Sequence, residues 1–261
     1  MTAYQKPDLL PLLPLAGYPV AALTTEQLKA QLIQDLDQGR TRMLFFVNTN
    51  FVNQCAALKA DLKRPEVILV NDGIGMDIAA MLIHRRRFPD NLNGTDFVPI
   101  LLETLVARYH NQAQRPVALP SVFLLGAGPD VARQAAKVLE GMGVVVAGTL
   151  DGYGESADNT RVIETMRSTD ADIILVATGN PRQETWILEN ASSLDARLLI
   201  GVGALLDFLA GDKPRAPETI RRLHLEWLYR LSLEPRRLAR RYTVDIGHFL
   251  IRCFREREQG K

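Results

Sequence analysis

Asp72 opens the run Asp-Gly-Ile-Gly directly after the apolar stretch 66–70, which puts its carboxylate where a strand ends and a ligand crevice begins. Such a group can take the proton from an acceptor hydroxyl as that oxygen attacks an anomeric carbon, the base that a sugar transfer needs. The competing use of an aspartate at this place is as N-cap of the helix that follows. Gly126-Ala-Gly128 likewise follows an apolar run and precedes Pro129, a favoured first-turn residue. Glycines there let backbone N–H groups approach a phosphate, and the helix dipole adds about half a positive charge. The third glycine of the dinucleotide fingerprint is missing, with Val131 in its place, so nucleotide contact and plain tight turning are both open.

Four more segments carry groups suited to a nucleotide sugar. Asn48-Thr49-Asn50 ends an apolar run with uncharged polar side chains that fit sugar hydroxyls or an ordinary capped turn. Asn93-Gly-Thr95-Asp96 offers the same choice, or a helix start with Thr95 or Asp96 as cap. Asp151-Gly152-Tyr153 follows a further apolar run. Gly179-Asn-Pro-Arg-Gln183-Glu184 opens a helix at Pro181, with Gln183 and Glu184 in its first turn; capping accounts for Glu184 and leaves Gln183 for a ligand. The donor set is therefore Asn48, Asn50, Gly73, Gly126, Gly128, Gly152, Tyr153, Gly179, Gln183 and Glu184, with Thr49, Asn93, Thr95 and Asp96 toward the sugar or acceptor. Asp170-Ala-Asp172 has the form of the metal-binding Asp-x-Asp of many sugar transferases, but it precedes the strand that starts at Ile173 and falls at the wrong end of it. His84, His110, His224 and His248 stand at no ligand spacing, so no metal and no other cofactor is expected.

The elements that position these groups alternate in type. Short buried strands are predicted at 42–47, 66–70, 122–125, 144–147, 173–177 and 197–202, with helical spacing between them and glycine or proline at the junctions. That alternation predicts an α/β, Rossmann-like fold, a mostly parallel sheet with helices on both faces. The carboxyl ends of its strands would hold the ligand, and Asp72, Gly126, Asp151 and Gly179 all fall there. A chain of 261 residues, 47% hydrophobic and 23% charged, suffices for one such domain plus an appendage at 218–261. Residues 1–214 carry 19 basic and 24 acidic side chains, net −5, whereas 215–261 carry 12 and 6, net +6. The tail, rich in arginine with Trp227 and Tyr229 interleaved, fits a diphosphate or an anionic membrane surface, or else a helix with solvated arginines. Cys55 and Cys253 form no motif, which fits a reducing compartment, and neither a secretory leader nor a membrane span is evident.

Together these segments resemble the WecG/TagA/CpsF family, glycosyltransferase family 26, over about 45–242. The resemblance rests on Asp72-Gly-Ile-Gly, Asn93-Gly-Thr-Asp96, Asp151-Gly-Tyr153, Gly179-Asn-Pro-Arg-Gln-Glu184, and Gly201-Val-Gly-Ala through Arg215-Ala-Pro to Leu225-Glu-Trp-Leu-Tyr-Arg-Leu. It implies an inverting, metal-independent transfer from a UDP-sugar to a polyprenyl-diphosphate-linked saccharide in bacterial surface polysaccharide or exopolysaccharide synthesis. The enzyme would be peripheral on the cytoplasmic face of the cell membrane, with homo-oligomerisation left open. The family's catalytic aspartate falls on Asp72, its crevice asparagine and glutamine on Asn48 and Gln183, and its tail arginines on Arg215, Arg221 and Arg230. Arg237 joins these as an acceptor-side candidate. Phe46 stands where the family often has threonine, and Asn91 where it usually has arginine. The wording around both is closer to xanthan-type members that transfer glucose than to those that transfer N-acetylmannosamine.

Two other functions fit parts of the chain. Gly126-Ala-Gly128 alone suits a Rossmann oxidoreductase, though no proton-transfer residue stands near a nicotinamide site. The basic tail alone suits a nucleic-acid-binding module, against which stands the net acidity of 1–214. Nucleic acid is therefore not expected as a partner.

Overall fold

A computed structural model of the chain describes residues 10–111, 118–152, 158–212, 217, 220, 226–233 and 246–256. Among them seven strands form one sheet: β1 (Val20–Ala21), β2 (Arg42–Val47), β3 (Val67–Asn71), β4 (Ser121–Gly126), β5 (Val145–Leu150), β6 (Ile173–Ala177) and β7 (Leu198–Gly201). Their order is β1-β3-β2-β7-β6-β4-β5, and every pairing is parallel. The α/β, Rossmann-like architecture expected from the sequence is thus present. Strands β2, β4 and β6 are near-continuous buried runs because helices cover both faces and leave no solvent side for alternation.

One face is covered by α1 (Thr25–Asp37), α4 (Gly94–His110), α5 (Pro129–Gly141) and α8 (Leu205–Leu209), whose Leu28, Leu32, Phe97, Leu101, Ala135 and Leu206 share a single core with the strands. On the other lie α2 (Thr49–Gln54), α3 (Ile74–His84), α6 (Asn159–Thr169) and α7 (Arg182–Asn190), contributing Phe51, Met76, Ala79, Val162 and Ile187. Helix α1 begins with a reciprocal capping box between Thr24 and Gln27, satisfying backbone donors that the helix start leaves over. Strand β1, two residues long, was not foreseen; it pairs with β3 at the sheet edge.

Residues 246–256 are helical, and Phe249 (0% exposed) and Cys253 are buried in the same core as α2 and α3. Burial pushes the Cys253 thiol up to about 12, the behaviour of a packed apolar group and not of a reactive one. Lys59 pairs with Glu256, and the Arg252 guanidinium donates to the Val52 carbonyl at 3.2 Å. This end of the tail is therefore packed into the core of the α/β unit. No helix among the described residues is long and apolar enough to cross a membrane.

Candidate active site

Strands β2 and β3 run in register to Val47 and Asn71, so the next residue of each emerges side by side. The Asp72 backbone N–H donates to the Val47 carbonyl at 2.8 Å, extending the ladder one step into the crevice. Asn48 caps α2, its Oδ1 accepting from the Phe51 N–H at 3.0 Å. That use of Oδ1 fixes the amide orientation and turns Nδ2 toward Asp72, where it donates to Oδ2 at 2.8 Å. The helix after Asp72 is capped by Gly73 with no side-chain hydrogen bond, so the N-cap alternative for Asp72 does not hold. Gly73, at φ 87°, takes a conformation suited to glycine, and its N–H donates to Asn91 Oδ1 at 2.7 Å. Asn91 is thus a strap for the Asp72 loop, a role that nothing in its sequence context announced.

The Asn93 segment starts α4, and Asn93 itself is the cap, correcting the expectation of Thr95 or Asp96. Its Oδ1 accepts from the Asp96 N–H at 2.9 Å and the Thr95 hydroxyl at 2.7 Å, while its Nδ2 donates to Asp96 Oδ2 at 2.8 Å. A Cβ on Gly94 would come within 2.8 Å of the Phe46 ring. Phe46 therefore works as packing under the α4 start, where it also meets Phe97 at 6.3 Å between ring centroids.

Gln183 and Glu184, expected to face a ligand, are buried at 4% and 0% exposure and engaged with the protein. Glu184 Oε1 accepts from Asn180 Nδ2 and from Gln183 Nε2, both at 2.7 Å, and its Oε2 accepts from the Cys55 thiol at 3.6 Å. Gln183 Oε1 accepts from the Gly203 N–H at 3.0 Å, tying α7 to the turn after β7. Burial pushes the Glu184 carboxyl above its ordinary value, partly offset by the hydrogen bonds from Gln183, its own backbone and Asn180. These two residues are the buried clamp of the crevice floor. What the clamp presents is Asn180, half-buried, to which Asn50 Nδ2 donates at 3.2 Å. Loops after β2, β6 and β7 are joined by this network. Asn180 and Cys55 were missed as members; the Asn-Pro turn signal was legible, the partners it reaches across the sheet were not.

Gly126 is required by the backbone. It sits at φ 114°, and a Cβ there would lie 2.7 Å from the Ala177 carbonyl carbon. Gly128, the uncapped N-cap of α5, has open space, with Val131 Cγ2 at 3.8 Å as the nearest neighbour to an added Cβ. The first amides of α5 thus remain available to an anion. Gly152 lies against this turn, its N–H donating to the Ala127 carbonyl at 2.9 Å, and Asp151 is buried beside it. Gly179, at φ 78°, opens the α7 loop. Asp172 lies at the amino end of β6, where it accepts from the Ser121 N–H at 3.0 Å and pairs with Arg197 at 2.9 Å, so the Asp-x-Asp is a strand-start fixture. Tyr153, Arg215, Arg221 and Arg237 lie outside the described residues, as does the side chain of Arg230 in the helix Glu226–Leu233.

A parallel sheet whose strand carboxyl ends carry a held carboxylate, asparagine amides and an uncapped helix start defines a Rossmann-like protein. The family model for "Glycosyl transferase WecG/TagA/CpsF family" matches residues 13–261, and the chain belongs to that family of glycosyltransferases. It is similar to the N-acetylglucosaminyldiphosphoundecaprenol N-acetyl-beta-D-mannosaminyltransferases of Staphylococcus aureus strains MRSA252 and NCTC 8325 / PS 47. Each is 30% identical over 218 residues, spanning 81% of this chain and 80% of the relative.

Proposed function

We propose that the protein transfers a hexose, glucose among them, or an N-acetylmannosamine-type sugar from a UDP-sugar, with inversion, onto a saccharide carried on a polyprenyl diphosphate. The observation that carries the reading is Asp72, set at the end of β3 with its carboxylate oriented by Asn48. Asp72 takes the proton of the acceptor hydroxyl as the oxygen forms its bond to the anomeric carbon; the bond from that carbon to UDP breaks, and the electron pair leaves with the diphosphate. Asn50 with Asn180, just after β2 and β6, lies near the donor sugar. The tail, net +6 over 215–261, binds the acceptor diphosphate and an anionic leaflet, placing the enzyme on the inner face of the membrane. The Staphylococcus aureus relatives, N-acetylglucosaminyldiphosphoundecaprenol N-acetyl-beta-D-mannosaminyltransferases, support an acceptor of the N-acetylglucosamine-diphospholipid class. Both glucose and N-acetylmannosamine are donors to test, because the expected departures at Phe46 and Asn91 prove to be a packing residue and a loop strap. Incubating the full chain with each UDP-sugar and a short-chain prenyl-diphosphate N-acetylglucosamine, followed by mass spectrometry, tests the reading. Addition of one hexosyl mass, or one N-acetylhexosaminyl mass, is expected with one donor; no addition with any UDP-sugar overturns it.

A further inference from the structure

We propose that the outward face of α3, with the arginines that follow it, is a docking surface for an anionic lipid leaflet. This deepens the proposed function and rests on it in one respect, that the acceptor is carried on a lipid.

Helix α3 is apolar on every side except at Asp77 and His84. Met76, Ala79, Ala80 and Ile83 are buried on the sheet, as any covering helix requires. The opposite side holds Ile74, Ile78, Met81 and Leu82, each 39–48% exposed. At about 100° per residue these four fall within an arc of roughly 100°, a continuous stripe along the helix. A surface helix ordinarily turns polar groups outward, so an apolar outer stripe marks a face with a partner. The helix at 246–256, packed into the same core, leaves Ile251 and Phe254 exposed.

The chemistry of the partner follows from what ends the stripe. Arg85, Arg86 and Arg87 are exposed, and none forms an ion pair with a described residue. Arg85 closes α3 in the left-handed conformation, φ 56°, where glycine is the usual choice. An apolar stripe ending in three cations matches an interfacial helix, whose apolar side sinks below the headgroups while its arginines meet phosphates. A second copy presenting the same face would bring no anion to the arginines. Asp72 lies two residues before α3, so a helix lying flat on the leaflet holds the catalytic carboxylate at headgroup level. A lipid-linked diphosphate is found at that depth.

Flotation of the full chain with vesicles of phosphatidylglycerol and phosphatidylethanolamine, at rising salt, tests the assignment. The wild-type chain is expected to float at low salt and less so at high salt. Ile78→Glu with Leu82→Glu should weaken partitioning by more than about 10-fold. Arg85, Arg86 and Arg87 all changed to Gln should weaken it by on the order of 100-fold. Both variants should keep wild-type circular dichroism and transfer to the short-chain, water-soluble acceptor without vesicles. Undiminished flotation of either variant overturns the proposal. So does a change of sedimentation coefficient in the apolar variant, which would assign the face to a second copy, or a parallel loss of transfer to the soluble acceptor. If the wild-type chain floats but transfers no sugar to any acceptor, the proposed function fails and the docking surface stands.

Discussion

Replacing Asp72 by Asn isolates its role as base from its role as a hydrogen-bond partner. The carboxylate accepts from Asn48 Nδ2 at 2.8 Å, and an amide at position 72 still offers an oxygen at the same place. Stability should therefore change by no more than about 1 kcal/mol, the difference between a charge-assisted and a neutral hydrogen bond. Loss of a general base commonly costs about 10²–10⁴ in rate, or roughly 3–5 kcal/mol of barrier. Asp72→Asn should thus reduce kcat at least about 100-fold while UDP binding, measured by calorimetry, persists. Asn48→Ala removes both the orienting donor and the α2 cap, the latter worth about 1 kcal/mol of stability. If Asn48 acts on catalysis through Asp72, the double variant Asn48→Ala with Asp72→Asn should turn over no more slowly than Asp72→Asn alone. Near wild-type kcat in Asp72→Asn, or rate losses that multiply in the double variant, would refute the reasoning.

Glu184 binds its proton more tightly in the folded chain than its ordinary 4.5 implies, so its contribution is fully present below that value and is lost as pH rises through the raised folded one. Urea midpoints of the wild type should fall over that window relative to Glu184→Gln, and parallel curves would dismiss the burial argument. Gly126→Ala should lower stability by at least about 2 kcal/mol, from the backbone clash and the positive φ, whereas Gly128→Ala should fold normally. Thermal melts separate the two, and equal losses would contradict the geometry. Phe249→Ala should cost about 3–5 kcal/mol, and truncation at 217 should destabilise the α/β unit; an unchanged melt would return the helix at 246–256 to a detachable tail. Transfer should survive EDTA, because Asp172 is committed to Ser121 and Arg197 at the amino end of β6; loss restored by manganese would reverse that expectation.

Period and punctuation made the sheet legible. Runs such as 43–47 and Ile173–Ala177 are apolar throughout because both faces are covered, and glycine marks the exits of β3, β4, β5, β6 and β7. Edge strand β1 was hidden, since two residues carry no period. The placement of Asp72, Gly126 and Gly179 at strand exits was likewise readable, as was the remoteness of Asp172, because position along a strand is counted directly from the chain.

The sequence by itself determined the fold class, the strand ends that form the crevice and the residue types available there. Tertiary structure alone decided which of those residues are buried in hydrogen bonds to other loops and which remain part-exposed at the strand ends. Asn48 could be read as a cap or a ligand contact, and the register of β2 against β3 made it a cap whose amide also holds Asp72. Gln183 and Glu184 were read as contacts, yet they are buried and bound to Asn180 of their own loop and to Cys55 and Gly203 from two others. Helical spacing fixes which side of an element a residue takes, but not what stands opposite. A carboxylate buried among donors from its own loop and from Cys55 becomes a clamp, whereas the carboxylate of Asp72, oriented by Asn48 at a strand end, is the one the proposed function takes as base.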